Sequence, residues 1–199
     1  MEWRLLGNLT KKMKEDLKDI FDNVNVWLKY AEAKNAMLLA FNGSLLLIWA
    51  RICSSDMFNT DLGASFLGII TPYFKYIFPV LILVVVIILL ISFVPQTVMK
   101  KFLSSNSPKD SNLLFYDHLR HLSSDDLINK LKGDDKTVAT KLEKDYAFQI
   151  ITNAGITSTK FEVFKYCGWI TISTMLCLIP ATIIFIYHKV YLSSKKEVK

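Results

Sequence analysis

The chain has 199 residues, of which 52% are hydrophobic, and a mean hydropathy of +0.31. A soluble domain of this size usually has a mean hydropathy near or below zero, so the composition argues against a soluble globular protein. The formal net charge of +6 is spread along the polar regions without a dense basic arm, which argues against DNA or RNA as a partner.

Residues 11–34 place apolar side chains at helical spacing, with charged residues on the opposite face. The pattern predicts an amphipathic helix that continues into the first membrane segment. We interpret its apolar stripe as packing against neighbouring helices, with a position flat on the membrane surface as the alternative. The stripe consists of Leu17, Ile20, Phe21, Val24, Trp27, Leu28 and Ala31.

Three apolar stretches are predicted to be transmembrane helices. Residues 76–97 carry no charged side chain and would span about 30 Å as a helix, the thickness of the hydrocarbon core. Residues 166–188 form another uncharged run, with aromatic residues near both ends as at a membrane interface. Residues 35–52 are shorter and contain Asn35 and Asn42, so they span only with flanking residues included or by packing against partners.

Residues 53–75 connect the first two predicted spans. We expect an outer loop or a re-entrant piece there, because the apolar run from Leu62 to Phe74 is too short to cross a bilayer. The alternative is that this run begins the second helix.

The distribution of basic residues predicts the orientation in the membrane. Residues 1–34 carry seven and residues 96–165 carry eleven, whereas the charges between residues 51 and 75 cancel. Because cytoplasmic loops carry an excess of Lys and Arg, we expect the N-terminus and the middle region in the cytoplasm. Three spans would place the basic tail, residues 189–199, outside, so the sequence leaves the orientation of the last helix open.

Residues 98–165 are predicted to form a small helical module in the cytoplasm. Residues 113–122 indicate a short helix, and Ser123 is a predicted N-cap because acidic residues follow it in the first turn of the next helix. From about Thr137 apolar residues recur on a helical period, and no proline interrupts the pattern before the last span. A single long helix is therefore expected from the cytoplasm into the membrane.

No stretch alternates as a strand would, so the predicted fold is an all-α membrane protein with about three transmembrane helices. Its small cytoplasmic helical module is continuous with the spans. The predicted segments are an amphipathic helix (1–34), a first span (35–52), an outer loop or re-entrant piece (53–75), a second span (76–97), a ligand-sensing module (98–165), a third span (166–188) and a basic tail (189–199).

The sequence offers little for catalysis. His118 and His121 have a spacing that can hold a metal ion, but a third ligand nearby is missing. The three cysteines form no C-x-x-C pair, and there is no Gly-rich phosphate loop or G-x-S-x-G motif. We therefore predict no enzymatic activity, no metal and no cofactor.

Four side chains are candidates for a cytoplasmic ligand site, because the helices that enter the membrane converge there. They are Lys34, Arg120, Gln149 and Lys160. Together they could line one basic pocket for an anion. The alternative for each lysine is contact with lipid headgroups.

Three blocks of the chain resemble a known pattern. Trp27-Leu28-Lys29-Tyr30-Ala31-Glu32-Ala33-Lys34, followed by Leu38-Leu39-Ala40-Phe41-Asn42-Gly43, is similar to the opening of the Pycsar transmembrane effector family of bacterial anti-phage membrane proteins. The other two blocks are Leu114-Phe115-Tyr116 with Leu119, and Asp145, Gln149-Ile150, Asn153, Ile156 and Lys160-Phe161.

The resemblance implies an effector of abortive infection that senses cyclic CMP or cyclic UMP made by a partner cyclase. Activation would impair the bacterial inner membrane, in which the chain would lie as a multi-pass homo-oligomer among lipids. The resemblance places ligand contacts at Lys34, Gln149 and Lys160, while Arg120 is added on charge alone. The alternative function is a membrane scaffold that binds a protein through its cytoplasmic helices.

Overall fold

The computed structural model describes residues 2–53, 66–94, 112–133 and 138–197. Within these ranges the chain forms helices and no strand, so the all-α prediction is confirmed there. The helices are α1 (Glu2–Cys53), α2 (Phe66–Phe93), α3 (Tyr116–Leu119), α4 (Ser124–Lys132) and α5 (Lys141–Glu197).

The chain divides into two compact units. The first unit comprises Met1–Lys34 and Val94–Glu162, and the second comprises Asn35–Phe93 and Val163–Lys199. The long helices α1 and α5 contribute to both, since each continues without a break past the boundary. The predictions that the N-terminal amphipathic helix and the helix after Thr137 each run on into an apolar segment are therefore confirmed.

The core of the first unit is built from three parts of the chain that are distant in sequence. Its buried side chains are Met13, Leu17, Ile20, Val24, Leu119, Leu122, Leu127, Ile128, Ala147, Ile150 and Ala154. The α1 members recur every three or four residues, so they occupy one face of the helix. In the described part of α1 the predicted apolar stripe thus packs against other helices, as the first interpretation expected.

Reciprocal caps define where α4 and α5 begin. The Ser123 Oγ accepts a hydrogen bond from the Asp126 backbone N–H at 3.1 Å, and the Asp126 carboxylate accepts one from the Ser123 backbone N–H at 3.1 Å. At α5 the Thr140 and Glu143 pair repeats this exchange, at 3.3 and 2.7 Å. The N-cap at Ser123 is as predicted, and the Thr140 cap was missed although T-x-x-E is its sequence signature.

Replacing Ser123 with alanine is expected to destabilise α4 by about 1 kcal/mol, because the Asp126 backbone N–H loses its acceptor and the Asp126 carboxylate loses the Ser123 hydroxyl as a donor. The hydrogen bonds from the Ser123 side chain and backbone lower the pKa of Asp126 below its ordinary value of 3.8. A lowered pKa means that this stabilisation is present above pH 3.8 and is lost as the pH falls through the pKa of the folded state. Hydrogen exchange of the α4 amides measures the effect, with Ser124→Ala as the control. Equal exchange in the two variants at neutral pH would contradict the prediction.

The second unit contains the apolar parts of α1, α2 and α5. Val85, Leu89 and Cys167 are buried together, with Leu38 and Ile170 among the side chains packed around them. The chain has two described helices long and apolar enough to cross a membrane, Lys12–Arg51 and Tyr76–Phe93. The described residues thus support the first two predicted spans by length and composition.

Two hydrogen bonds join polar side chains within this apolar unit. The Asn35 Nδ2 donates to the Ser92 Oγ at 3.3 Å, and the Thr171 Oγ1 donates to the Asn42 Oδ1 at 3.1 Å. All four residues are buried. Asn35 and Asn42, the two polar residues that made residues 35–52 a less apolar span, therefore form hydrogen bonds with polar groups on other helices.

The structure changes one boundary and leaves one span untested. Helix α2 begins at Phe66, so residues 66–75 are helical. For these residues the predicted outer loop is wrong, and the alternative that the apolar run begins the second helix is confirmed. A charged residue such as Lys75 limits burial in lipid but does not break a helix, which is why hydropathy placed the start too late. The third predicted span lies within α5, but most side chains from residue 177 onward lie outside the described residues.

Candidate functional site

Five aromatic side chains from three segments meet in the first unit. They are Trp27 and Tyr30 of α1, Phe115 and Tyr116 at the start of α3, and Phe161 of α5, and we call them the aromatic cluster. The Trp27 ring lies 5.5 Å from that of Tyr116 and 6.4 Å from that of Phe161, measured between centroids. Tyr116 and Phe161 are stacked, with centroids 5.1 Å apart and planes 19° apart. The cluster therefore holds α1, α3 and α5 together at one place.

Lys34 lies beside this cluster because of helical spacing. Trp27, Tyr30 and Lys34 follow one another at intervals of three and four residues, so they share a face of α1. The Lys34 Nζ is 4.5 Å from the centroid of the Tyr30 ring and 5.6 Å from that of Phe161. These are cation–π distances, so the ammonium group is attracted to the ring faces.

Lys160 forms an ion pair with Glu32 across the two long helices. The Lys160 Nζ is 3.1 Å from the Glu32 Oε1. The Lys160 side chain is only 11% exposed, whereas that of Glu32 is 45% exposed. The site therefore contains a nearly buried cation whose carboxylate partner remains in contact with solvent.

Arg120 joins the turn after α3 to helix α5. Its guanidinium is 3.0 Å from the Asp117 carboxylate and 3.1 Å from the Glu162 carboxylate, and its Nη1 donates a hydrogen bond to the Ser158 Oγ at 2.6 Å. Ser158 and Glu162 flank Lys160 in the α5 sequence. Arg120, which was predicted on charge alone, is thus held beside the part of α5 that contains Lys160.

The structure brings three of the four predicted site residues to the junction of α1, α3 and α5. Lys34, Arg120 and Lys160 all contact residues of this junction. Gln149 is exposed and lies eleven residues before Lys160 on α5, about 16 Å along the helix axis. The expected basic pocket is also different in character, because carboxylates pair with Arg120 and Lys160.

His118 and His121, whose spacing could hold a metal ion, each have a hydrogen-bond partner within the protein. The His118 Nδ1 accepts a hydrogen bond from the Asn112 backbone N–H at 3.0 Å, and the His121 Nε2 accepts one from the Arg120 Nε at 3.2 Å. Among the described residues no group of three metal-ligating side chains comes together. Both imidazoles thus contribute to the local structure around α3.

Burial raises the pKa of Tyr116, and the negative charge of Asp117 raises it further, while Arg120 acts in the opposite direction. The phenol therefore stays protonated at neutral pH and keeps a hydroxyl donor next to the stacked rings. Aromatic faces with cations beside them are the combination by which proteins hold a nucleotide: the base stacks and the phosphate pairs with positive charge. The junction has both components.

Sequence reasoning selected the cations and missed the aromatic cluster as part of the site. Its residues lie within the three motif blocks, and each block supplies at least one ring. That shared property was the available signal. An aromatic residue on an amphipathic helix is ordinarily a core residue, so the sequence alone does not mark these rings as part of a site.

One comparison with known proteins gives a match. The family model described as the Pycsar effector protein domain matches residues 16–187 of this chain. No curated protein and no solved structure matches it. The matched range contains the aromatic cluster together with Lys34, Arg120 and Lys160.

Proposed function

Since the chain belongs to the Pycsar effector family, we propose that it is a membrane effector of anti-phage defence switched on by a cyclic nucleotide. The messenger is cyclic CMP or cyclic UMP, made by a partner cyclase after infection. Binding causes the protein to impair the inner membrane, so that the infected cell no longer supports the phage. The chain does not transform its ligand.

The observation that carries this proposal is the aromatic cluster with Lys34 and Lys160 beside it. A cyclic mononucleotide has one base and one singly charged phosphate. Stacking of a base on an aromatic ring contributes about 1–3 kcal/mol, and a phosphate is stabilised further by a nearby ammonium group. Tyr30 and Phe115 are exposed, so their rings are accessible to a base.

The continuity of α1 and α5 supports the second half of the proposal. The residues proposed to contact the ligand lie on parts of these helices that belong to the first unit, and the same helices supply apolar segments to the second unit. A ligand that prefers one arrangement of α1 and α5 at the site shifts the population of the whole helices toward it. In this proposal the protein is a homo-oligomer with its N-terminus in the cytoplasm. The new arrangement of α1 and α5 in each subunit impairs the membrane.

A thermal-shift screen of the full-length protein in detergent tests the sensing function. The panel contains cyclic mononucleotides, cyclic dinucleotides and larger cyclic oligonucleotides, with linear nucleotides as controls. We expect a saturable rise in Tm with cyclic CMP or cyclic UMP, since a ligand that binds only the folded state stabilises it. The absence of any shift with these compounds would overturn the proposal.

The alternative is a membrane scaffold that binds a protein through its cytoplasmic helices. Exposed apolar side chains in the first unit favour it: Leu114, Leu142 and Phe148 are each at least half exposed. A stoichiometric protein partner recovered from cells, together with no response to nucleotides, would support this function over the first.

A further inference from the structure

The cations at the candidate site are more deeply buried than the carboxylates that neutralise them. The Lys160 side chain is 11% exposed and its partner Glu32 is 45% exposed. Arg120 is 25% exposed, against 41% for Asp117 and 56% for Glu162. The positive groups therefore belong to the interior of the junction, and the negative groups approach them from the solvent side.

This asymmetry has an energetic consequence at Lys160. A nearly buried ammonium group without a counter-ion is unfavourable, so the protein without ligand needs the Glu32 carboxylate. Glu32 itself is half in water and regains hydration easily when it leaves. A phosphate offers the same ammonium group a singly charged oxygen acceptor, so carboxylate and phosphate compete for one position.

We infer that Glu32 is an internal substitute for the phosphate of the ligand, held by Lys160 until the ligand displaces it; this inference rests on the proposed function. Glu32 is thus a positioning residue that sets the affinity threshold for the messenger. Its removal tightens binding, whereas the loss of a purely structural ion pair would weaken it. The direction of the change therefore separates the two roles.

The Glu32–Lys160 ion pair joins α1 to α5, so displacement of Glu32 by the ligand changes a contact between these two helices. Glu32 and Lys160 each lie two residues before the end of the first unit, at Lys34 on α1 and Glu162 on α5. Displacement of Glu32 removes this bridge between α1 and α5. A second bridge remains earlier on both helices, where the Asn153 Nδ2 donates to the Asn25 Oδ1 at 2.9 Å. The ring contacts of Phe161 with Trp27 and Tyr30 also remain, so the exchange removes one contact close to where both helices continue into the apolar segments.

The test compares the affinity of the detergent-purified, full-length protein for cyclic CMP and cyclic UMP across variants, by thermal-shift titration. Glu32→Gln is expected to bind the active nucleotide about five- to tenfold more tightly than the natural chain. The matched control is Asp22→Asn, which removes the same charge from an exposed position on α1 and should leave the affinity unchanged. In a Lys160→Gln background the Glu32 substitution should have no effect, because the two residues act through one contact.

Equal or weaker binding by Glu32→Gln, in a protein whose natural form binds, overturns the inference and leaves the proposed sensor function in place. Equal tightening by Asp22→Asn also overturns it, since net charge would then account for the effect. A natural chain that binds neither nucleotide overturns the proposed function and this inference together.

Discussion

Replacing Lys160 with alanine is expected to abolish the loss of membrane potential in cells that express this protein with its cyclase. The substitution removes the nearly buried ammonium group proposed to hold the phosphate, and it leaves Glu32 without its partner. Truncating the protein's member of a buried ammonium–phosphate pair costs about 2–5 kcal/mol of binding free energy, which lowers ligand affinity about 30-fold or more. A potential-sensitive dye, read after messenger synthesis is induced, measures the outcome.

The matched control is Lys144→Ala, which removes the same side chain from an exposed position on α5. This variant should still depolarise the membrane. Immunoblots of the membrane fraction check that both variants accumulate equally. Full depolarisation by Lys160→Ala at equal abundance would contradict the assignment of Lys160 to the site.

The second large effect is expected on stability. Replacing Ile150 with alanine should destabilise the first unit by about 2–5 kcal/mol, because it leaves a cavity where α1, α3, α4 and α5 supply the packed side chains. Ile150 is fully buried in this core. Thermal unfolding of the detergent-purified protein, followed by tryptophan fluorescence, should show a clearly lower Tm.

Leu142→Ala controls for the loss of an aliphatic side chain on the same helix. Leu142 is exposed, so its truncation should change the free energy of unfolding by no more than about 0.5 kcal/mol. Equal shifts in Tm for the two variants would show that the Ile150 side chain does not belong to a packed core.

The parts of the fold that depend on local pattern could be predicted from the sequence. The 3.6-residue period identified α1 as an amphipathic helix and α5 as a long helix, each continuing into an apolar segment. The Ser123 cap followed from a short-range preference. Hydropathy predicts a later start for α2 than the structure shows. The reason is that a charged residue such as Lys75 ends an apolar run without ending the helix that contains it.

The candidate site could be predicted only in part, because its geometry depends on contacts between distant residues. Charge pointed to Lys34, Arg120 and Lys160 without revealing that Glu32 and Glu162 would pair with two of them. Those pairings arise from the angle at which α5 meets α1 and the turn after α3. A single sequence does not encode that angle in any local pattern. Gln149 lies eleven residues before Lys160 on α5, and helical rise alone separates the two by about 16 Å.

The hydrogen bonds of Asn35 to Ser92 and of Asn42 to Thr171 bear on helix register. Contacts between aliphatic side chains change little when one apolar helix slides or turns against another, so they do not select a single alignment. A side-chain amide bonded to a hydroxyl is directional, and a rotation of α1 by one residue would break it. Asn35 and Asn42 are seven residues apart and so share a face of α1 that bonds to α2 and to α5. The apolar unit therefore has a defined alignment, and any rearrangement within it takes place in discrete steps.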